Sequence, residues 1–514
     1  MVIKDRVAEM DSANEMRGVF DQALIEIQAH SLLLRLADFL KGQNVGAYLV
    51  GGFVRDVLLG RDTADIDIAV AADVLKIGPG IAASLQGKFV LLDAVNRIGR
   101  IILKDWTIDV ASFDGKIEDD LARRDFTIDA MSVDLNQFTT RASQAAGLID
   151  PYNGRLDLDL GIIKMVTDTA LRDDPVRLLR AVRLASELGF IIERKTASEI
   201  SRLANLIAGV PGERAREELL RLLNSSRSGQ VFNDMEKLGL LTALIPELSP
   251  LKGVAQPKEH HWDVFEHSIN TVSAVDFILR QGVWDYQNEK ILAIVPWSSS
   301  LAQYFDQPVN SGSTRRSLLK MAALLHDIAK PQTKAFDENG RMRFLGHPED
   351  GSILVQSIME RLRFSTKETK MVVLMVKYHL RPTQMSQDNL PTSRAIYRYF
   401  RDVNDVGIDT LYLSLADHLA TRGPELIPDQ WEYHTRLVDY VLKEHFHQKT
   451  EITPAKLVDG NDLINVFGMK PGSEIGELLE EIREAQASGE LTIREEALDY
   501  VRKYLSINKK KTTQ

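Results

Sequence analysis

The chain has 514 residues, 44% of them apolar and 26% charged, and a net charge of −10; this is an ordinary globular composition, too long for a single hydrophobic core. The acidic balance argues against indiscriminate nucleic-acid binding but leaves room for a local basic groove. The absence of cysteine excludes disulfides, thiolate zinc sites and cysteine nucleophiles, so carboxylates and histidines are the metal ligands to look for. No apolar run reaches membrane-spanning length, and the opening MVIKDRVAEMDSANEM carries acids where a signal peptide needs an apolar stretch. A cytoplasmic protein with no membrane partner is expected. Residues 1–45 predict helix, with Phe20, Leu24, Ile25 and Ile27, then Leu32, Leu33, Leu36, Phe39 and Leu40, forming a core-facing stripe. Tyr48-Leu49-Val50 reads as a strand that hands over to Gly51-Gly52-Phe53-Val54-Arg55-Asp56. The glycines therefore fall where a helix begins and free N–H groups can hold phosphate oxygens. In Asp65-Ile66-Asp67-Ile68-Ala69-Val70, two-residue alternation puts both carboxylates on one strand face and both isoleucines in the core. Two adjacent carboxylates suit a magnesium ion and metal-assisted in-line transfer of a phosphoryl or nucleotidyl group; a surface turn with two solvated acids is the plainer alternative.

GGFVRD followed by DID resembles the signature of the class II tRNA nucleotidyltransferase and bacterial poly(A) polymerase family, template-independent enzymes with a polymerase-beta-like head. Further motifs extend the resemblance over most of the chain. It implies that Gly51, Gly52, Arg55 and Asp56 serve the nucleotide and that Asp65 and Asp67 hold the catalytic metal. Three strand-like runs at 89–92, 100–103 and 107–110 would finish a small mixed sheet. By the resemblance Asp109 becomes a third carboxylate beside Asp65 and Asp67; an edge-strand acid is the alternative. Arg123-Arg124-Asp125-Phe126-Thr127-Ile128-Asp129-Ala130 is similar to the family's RRDFTxNA motif, whose arginines and aspartate contact triphosphate and sugar. Asp129 stands where the family has asparagine, an acceptor-only group in place of an amide. Asp150-Pro151-Tyr152-Asn153-Gly154 looks like the hinge between head and neck, with Asn153 replacing a glycine.

The neck opens at Arg172-Asp173-Asp174-Pro175-Val176-Arg177. Pro175 suits the first helical position and Asp174 the cap, which puts Arg177 and Arg180 one turn apart on one face. The resemblance casts Asp174 and Arg177 as the EDxxR protein template that pairs with the edge of the incoming base, with Asp173 replacing the usual glutamate. A carboxylate can accept from the exocyclic amine of cytosine or adenine while arginine donates to a ring nitrogen. Arg214 and Glu218, four apart, resemble the last neck motif and are equally consistent with a helix-surface ion pair. Residues 171–230 hold eleven Lys/Arg against eight Asp/Glu, a local basic excess suited to RNA.

Histidines become frequent from about residue 250. His267, His326-Asp327, His347, His379 and Asp417, in that order, resemble an HD domain. The resemblance makes His267, His326, Asp327 and Asp417 ligands of one divalent ion, with His347 and His379 serving a second ion or the substrate. Mixed nitrogen and oxygen ligands suit a transition metal such as Ni2+, Mn2+ or Co2+. Residues 282–318, with Trp284 and Trp297, read as an insertion before His326. The last segment predicts helices around the turn Lys470-Pro471-Gly472 and a helix from Arg494 to Tyr504, ending in Lys509-Lys510-Lys511.

The expected architecture is an α+β head with a small mixed sheet (1–150), an all-α neck (151–247), an HD domain (248–425) and a helical tail (426–514). The expected function is addition of C, and optionally A, from CTP and ATP to the tRNA 3′ end using Mg2+, with a second phosphohydrolase activity in the HD domain. A poly(A) polymerase, or an HD phosphohydrolase with an RNA-binding head, are the alternatives. Only thirteen residues separate Asp109 from Arg123, where CCA-adding members carry a flexible loop for switching from CTP to ATP. By the resemblance to CC-adding enzymes a head without that loop would stop after two cytosines; a short loop of no consequence, with the motion supplied by another segment, is the alternative.

Overall fold

A computed structural model describes residues 30–135, 147–286, 288–385, 390–450, 457–487 and 489–511; the stripe at Phe20, Leu24, Ile25 and Ile27 lies outside these. The chain forms two compact units, Met1–Val210 with Leu238–Leu240, and Pro211–Lys237 with Leu241–Gln514.

The first unit carries a seven-stranded sheet of β1 (Ala47–Val50), β2 (Asp65–Val70), β3 (Lys88–Asp93), β4 (Ile98–Ile102), β5 (Thr107–Ser112), β6 (Ser132–Asp134) and β7 (Leu148–Ile149), in the order β3-β4-β5-β2-β1-β6-β7. It is mixed because β2 and β5 run parallel while every other pairing is antiparallel. Alternation works as the sequence implies: Ile66 and Ile68 are buried, and Asp65 and Asp67 face the other way. The helix His30–Gly42 buries Leu33, Leu36 and Leu40 and packs on the helix Val74–Leu85.

The neck helices of this unit are Ala170–Asp173, Val176–Leu188 and Arg194–Leu203. Their helix start differs by one residue from the sequence expectation. Pro175 itself occupies the cap position of Val176–Leu188, and Asp174 is extended at φ −143° and ψ 94°, because a residue before proline is pushed out of the helical region. The neck is also not purely helical: Ile162–Ile163 pairs in parallel with Ile191–Ile192, two β-branched pairs that each follow a left-handed glycine by one or two residues, Gly161 and Gly189.

In the second unit the helices Val264–Ile278, Arg315–Leu325, His347–Arg361, Thr366–Tyr378 and Gly407–Arg422 pack together. Every residue from Ser317 to Leu325 is buried. Lys320 among them donates to the carbonyls of Leu223 (2.9 Å) and Ser225 (2.8 Å) and pairs with Asp276 at 2.6 Å. It thus satisfies carbonyls left free at the end of the helix Gly212–Leu223. Residues 282–318 are integral to this core: Trp297 stacks on buried Phe305 with ring centroids 6.1 Å apart, and Phe305 meets Tyr412 at 4.8 Å. A short hairpin, β8 (Lys334–Phe336) with β9 (Met342–Phe344), precedes His347. The helices Gly460–Phe467, Ser473–Ala487 and Arg494–Lys511 bury their own cluster of Leu463, Leu478, Ile482, Ala497 and Val501. Arg398 and Arg401 tie this cluster down through Glu484 at 2.6 Å each. No helix among the described residues is long and apolar enough to cross a membrane.

Candidate functional sites

In the head, β1 ends at Val50 and Gly51 turns the chain into the helix Gly51–Leu58. Gly51 has φ +66°, which calls for glycine at this turn, and a Cβ there would stand 2.6 Å from Nη1 of Arg124. The parallel register pairs Asp67 with Asp109 and places Asp65 two residues along the same face. Three carboxylates are thereby brought together at one sheet face. Burial, only partly offset by Arg124, pushes Asp67 up to about 6; its Oδ2 accepts a long bond from the Phe53 N–H at 3.4 Å. Asp109 is gripped at both oxygens by Arg100 of β4, at 2.7 and 2.8 Å. Hard carboxylate oxygens on one sheet face beneath a glycine turn are the donor type a magnesium ion takes, though the three acids do not converge within 4.8 Å as the HD ligands do.

The arginine motif lies beside these acids. Arg124 donates to Asp120 at 3.3 Å and leaves its Nε buried without a partner, while Arg123 is mostly exposed and reaches the same Asp120 at 3.4 Å. Arg55 grips Asp56 through Nε (2.9 Å) and Asp129 through Nη1 (2.7 Å). Asp125 is buried; burial would raise it, but Arg180 at 2.8 Å prevails and holds it below the usual carboxylate range. Arg177 donates to the carbonyls of Arg123 (2.6 Å) and Ala170 (3.0 Å) and stands 3.9 Å from Asp174. The base-reading candidate Arg177, with Asp174 beside it, and Arg180 one turn on are thus joined to the Arg123–Asp125 segment. Arg214 and Glu218 lie on the helix Gly212–Leu223 of the second unit, with Glu218 buried.

The second unit gathers all six HD candidates. The Nε2 atoms of His267 and His326 are 3.2 Å apart, and both approach Asp327 Oδ2, at 3.5 and 3.3 Å. Asp417 Oδ1 stands 3.1 Å from His267. On the other side the Nε2 atoms of His347 and His379 are 3.3 Å apart and lie 3.4 and 3.8 Å from Asp327 Oδ1. Asp327 is therefore shared between two ligand trios. Three of the rings are oriented by a backbone carbonyl facing Nδ1: Ala323 for His326 (2.9 Å), Phe344 for His347 (2.6 Å) and Val376 for His379 (2.7 Å). That contact leaves each Nε2 lone pair for a metal. Burial pushes His379 down to about 3 and lowers His267 as well. His326 goes the other way, to about 10, because Asp327 and Asp417 outweigh its burial. Those two carboxylates, which burial alone would raise, are held well below their usual range, Asp327 chiefly by His326 and Lys330 and Asp417 chiefly by His267 and His326. Ionised carboxylates with imidazole nitrogens converging on them are the donor set of a divalent transition metal.

Three participants escaped the sequence reading. Arg100 meets Asp109 only through cross-strand register. Lys330 lies one helical turn from Asp327, a spacing visible in the sequence, and its buried Nζ sits 2.6 Å from Asp327 Oδ2 and 2.7 Å from Gln256. Gln256 is brought in from 74 residues away.

Comparison with known proteins identifies the domains in which these two clusters lie. The family model described as the poly A polymerase head domain matches residues 47–114 and 96–164. That for a probable RNA and SrmB-binding site of polymerase A matches 189–252, and that for the HD domain matches 297–422. His267 lies upstream of the HD match. The chain is 33% identical to the CC-adding tRNA nucleotidyltransferase of Thermus thermophilus, over 88% of this chain and 92% of that one. It is 31% identical to the A-adding tRNA nucleotidyltransferase of Deinococcus radiodurans, over 89% and 95%. Among solved structures, a CCA-adding enzyme in complex with ATP shares the fold with a TM-score of 0.62 at 23% identity, over 94% of this chain and 96% of that one.

Proposed function

The chain belongs to the tRNA nucleotidyltransferase family, and on that premise we propose that it adds cytidines from CTP to the 3′ end of tRNA in the cytoplasm and stops after two. The observation carrying the transferase reading is the cofacial set Asp65, Asp67 and Asp109 under the Gly51 turn, with Arg124 beside it. In this reading Asp65 and Asp67 hold Mg2+, which when bound supplies Lewis acidity to the transferring phosphoryl group. Asp109 and Arg100 brace that face. Gly51, Gly52, Arg55, Arg123 and Arg124 take the triphosphate, Asp56, Asp125 and Asp129 order those arginines and the sugar, and Asp174 and Arg177 read the base. Arg180 fixes the reading helix to Asp125. The restriction to CTP is supported by the connection after β5: Ser112 is followed within five residues by the helix Ile117–Leu121, and Phe113 between them is buried. Nothing in that span is long enough to act as a lever for ATP. The working division is a head to 150, a neck to 247, an HD domain to 425 and a tail beyond.

The HD centre is proposed as a phosphoesterase site for two divalent ions such as Ni2+, Mn2+ or Co2+. His267, His326 and Asp417 serve one ion, His347 and His379 the other, and Asp327 both; Lys330 stands ready for the phosphate charge. A 2′,3′-cyclic phosphate is the favoured substrate. Incubating the protein with tRNA lacking its 3′ end and each labelled nucleotide in turn tests the transferase reading: incorporation of label from CTP is expected, and no incorporation from any nucleotide would overturn it.

A further inference from the structure

The hairpin β8–β9 enters neither reading. Its register pairs Lys334 with Phe344 and Phe336 with Met342, so these four side chains share one face. At the inner end this face touches the HD centre. The Phe344 ring lies 5.4 Å from the Lys330 ammonium, and its carbonyl meets the Nδ1 of His347 at 2.6 Å. At the outer end, two residues or ~7 Å further along the strand, Phe336 is 64% exposed. Leu345, between the hairpin and His347, is 80% exposed. Arg343 pairs across with Ala335 and so lies on the opposite face of the hairpin, bonded to Asp337 at 3.2 Å, while Arg341 is exposed at the turn end of the same arm. Residues 330–346 carry four cations, Lys330, Lys334, Arg341 and Arg343, against the two acids Asp337 and Glu338, in a chain of net charge −10.

An exposed ring with Lys334 on its own face and Arg341 at the hairpin end is the elementary platform for single-stranded nucleic acid, since any base offers a π-face to stack and the backbone follows the positive charge. A small phosphoester would have no contact with Phe336. A folded protein partner would need roughly 800 Å² on each side, far more than one short hairpin offers. We propose that the Lys334–Phe344 hairpin seats the nucleotide adjoining the phosphoester presented to the HD centre, so that this centre acts on the end of a single-stranded RNA segment. The inference rests on the phosphoesterase reading of that centre. In the reaction water adds across one P–O bond of the terminal phosphoester, and the departing ribose oxygen takes the proton.

The full-length protein is assayed on bis(p-nitrophenyl) phosphate and on a short RNA ending in a 2′,3′-cyclic phosphate, as wild type, Phe336→Ala and Arg341→Ala. Independently, a 4-thiouridine RNA of the same length is photocross-linked and the attached peptide identified. Loss of one stacking platform should lower kcat/KM on the RNA about tenfold with the small substrate unchanged, and the cross-link should map to 334–344. Parallel loss on both substrates, no change on either, or a cross-link elsewhere overturns the proposal. A concentration-dependent dimer abolished by Phe336→Ala overturns it too, making the hairpin a contact between copies. If wild type hydrolyses neither substrate yet cross-links at the hairpin, the seat stands and the phosphoesterase reading falls.

Discussion

Arg55 donates from Nη1 to Asp129 Oδ1 at 2.7 Å, and both side chains are about nine-tenths buried. The carboxylate that replaces the family's asparagine is thereby answered by a cation already present in the glycine motif. Arg55 keeps its grip on Asp56 at 2.9 and 3.0 Å, so losing Asp129 removes one charge-assisted hydrogen bond and leaves the cation paired. Asp129→Ala should therefore lower head stability by about 2 kcal/mol. Asp129→Asn, whose amide oxygen still accepts from Arg55, should lower it by about 1 kcal/mol. Urea unfolding of the two variants checks the order.

Asp67 makes a single long hydrogen bond at 3.4 Å among the described contacts and is partly buried. Its carboxylate does little to hold the head together. Asp67→Asn should abolish nucleotide addition while the circular dichroism spectrum stays at wild type and the unfolding midpoint at neutral pH does not fall, since the amide is spared ionisation of a buried carboxyl; retained incorporation would remove Asp67 from the metal site.

One carboxylate serves both imidazole trios. Metal analysis after dialysis against Mn2+ should give two ions per chain in the second unit of wild type, one for His379→Ala and none for Asp327→Ala. Chelation should lower the unfolding temperature of wild type and leave that of Asp327→Ala unmoved.

Buried Asp409 is pushed up to about 6 by burial, despite Arg315 at 2.8 Å. A carboxyl raised above its unfolded value contributes stability that is complete below pH ~4 and lost as pH rises through about 6, up to ~3 kcal/mol in all. Asp409→Asn cannot titrate. Its stability relative to wild type should therefore improve between pH 4.5 and pH 7, as read by urea titrations at both; a constant difference would refute the assignment.

With both CTP and ATP present, tRNA ending at the discriminator base should accumulate as the two-cytidine product. Completion to CCA, or a long A tail, would show that some other segment supplies the lever.

Much of this was legible in the sequence because the signals are local. Alternation in Asp65–Val70 placed two acids on one face, and the order of the histidines announced the HD centre. What stayed hidden depends on partners far apart in the chain. The grip of Arg100 on Asp109 is set by strand register, and the role of Gln256 by folding across 74 residues. The stretch 282–318 looked like an insertion because Tyr412, which closes over Phe305, lies a hundred residues downstream. The one-residue shift at Pro175 had a local cause, its effect on Asp174, that helix-cap preferences alone do not weigh.

Each of His326, His347 and His379 turns its Nδ1 toward the carbonyl three residues before it. The direction of every Nε2 is consequently a property of a four-residue segment, established as soon as that local turn forms. Ion uptake then requires little rearrangement of these rings, and the centre is preorganised. A chain stripped of its ions would keep its grasp on their positions, and reloading should proceed without refolding.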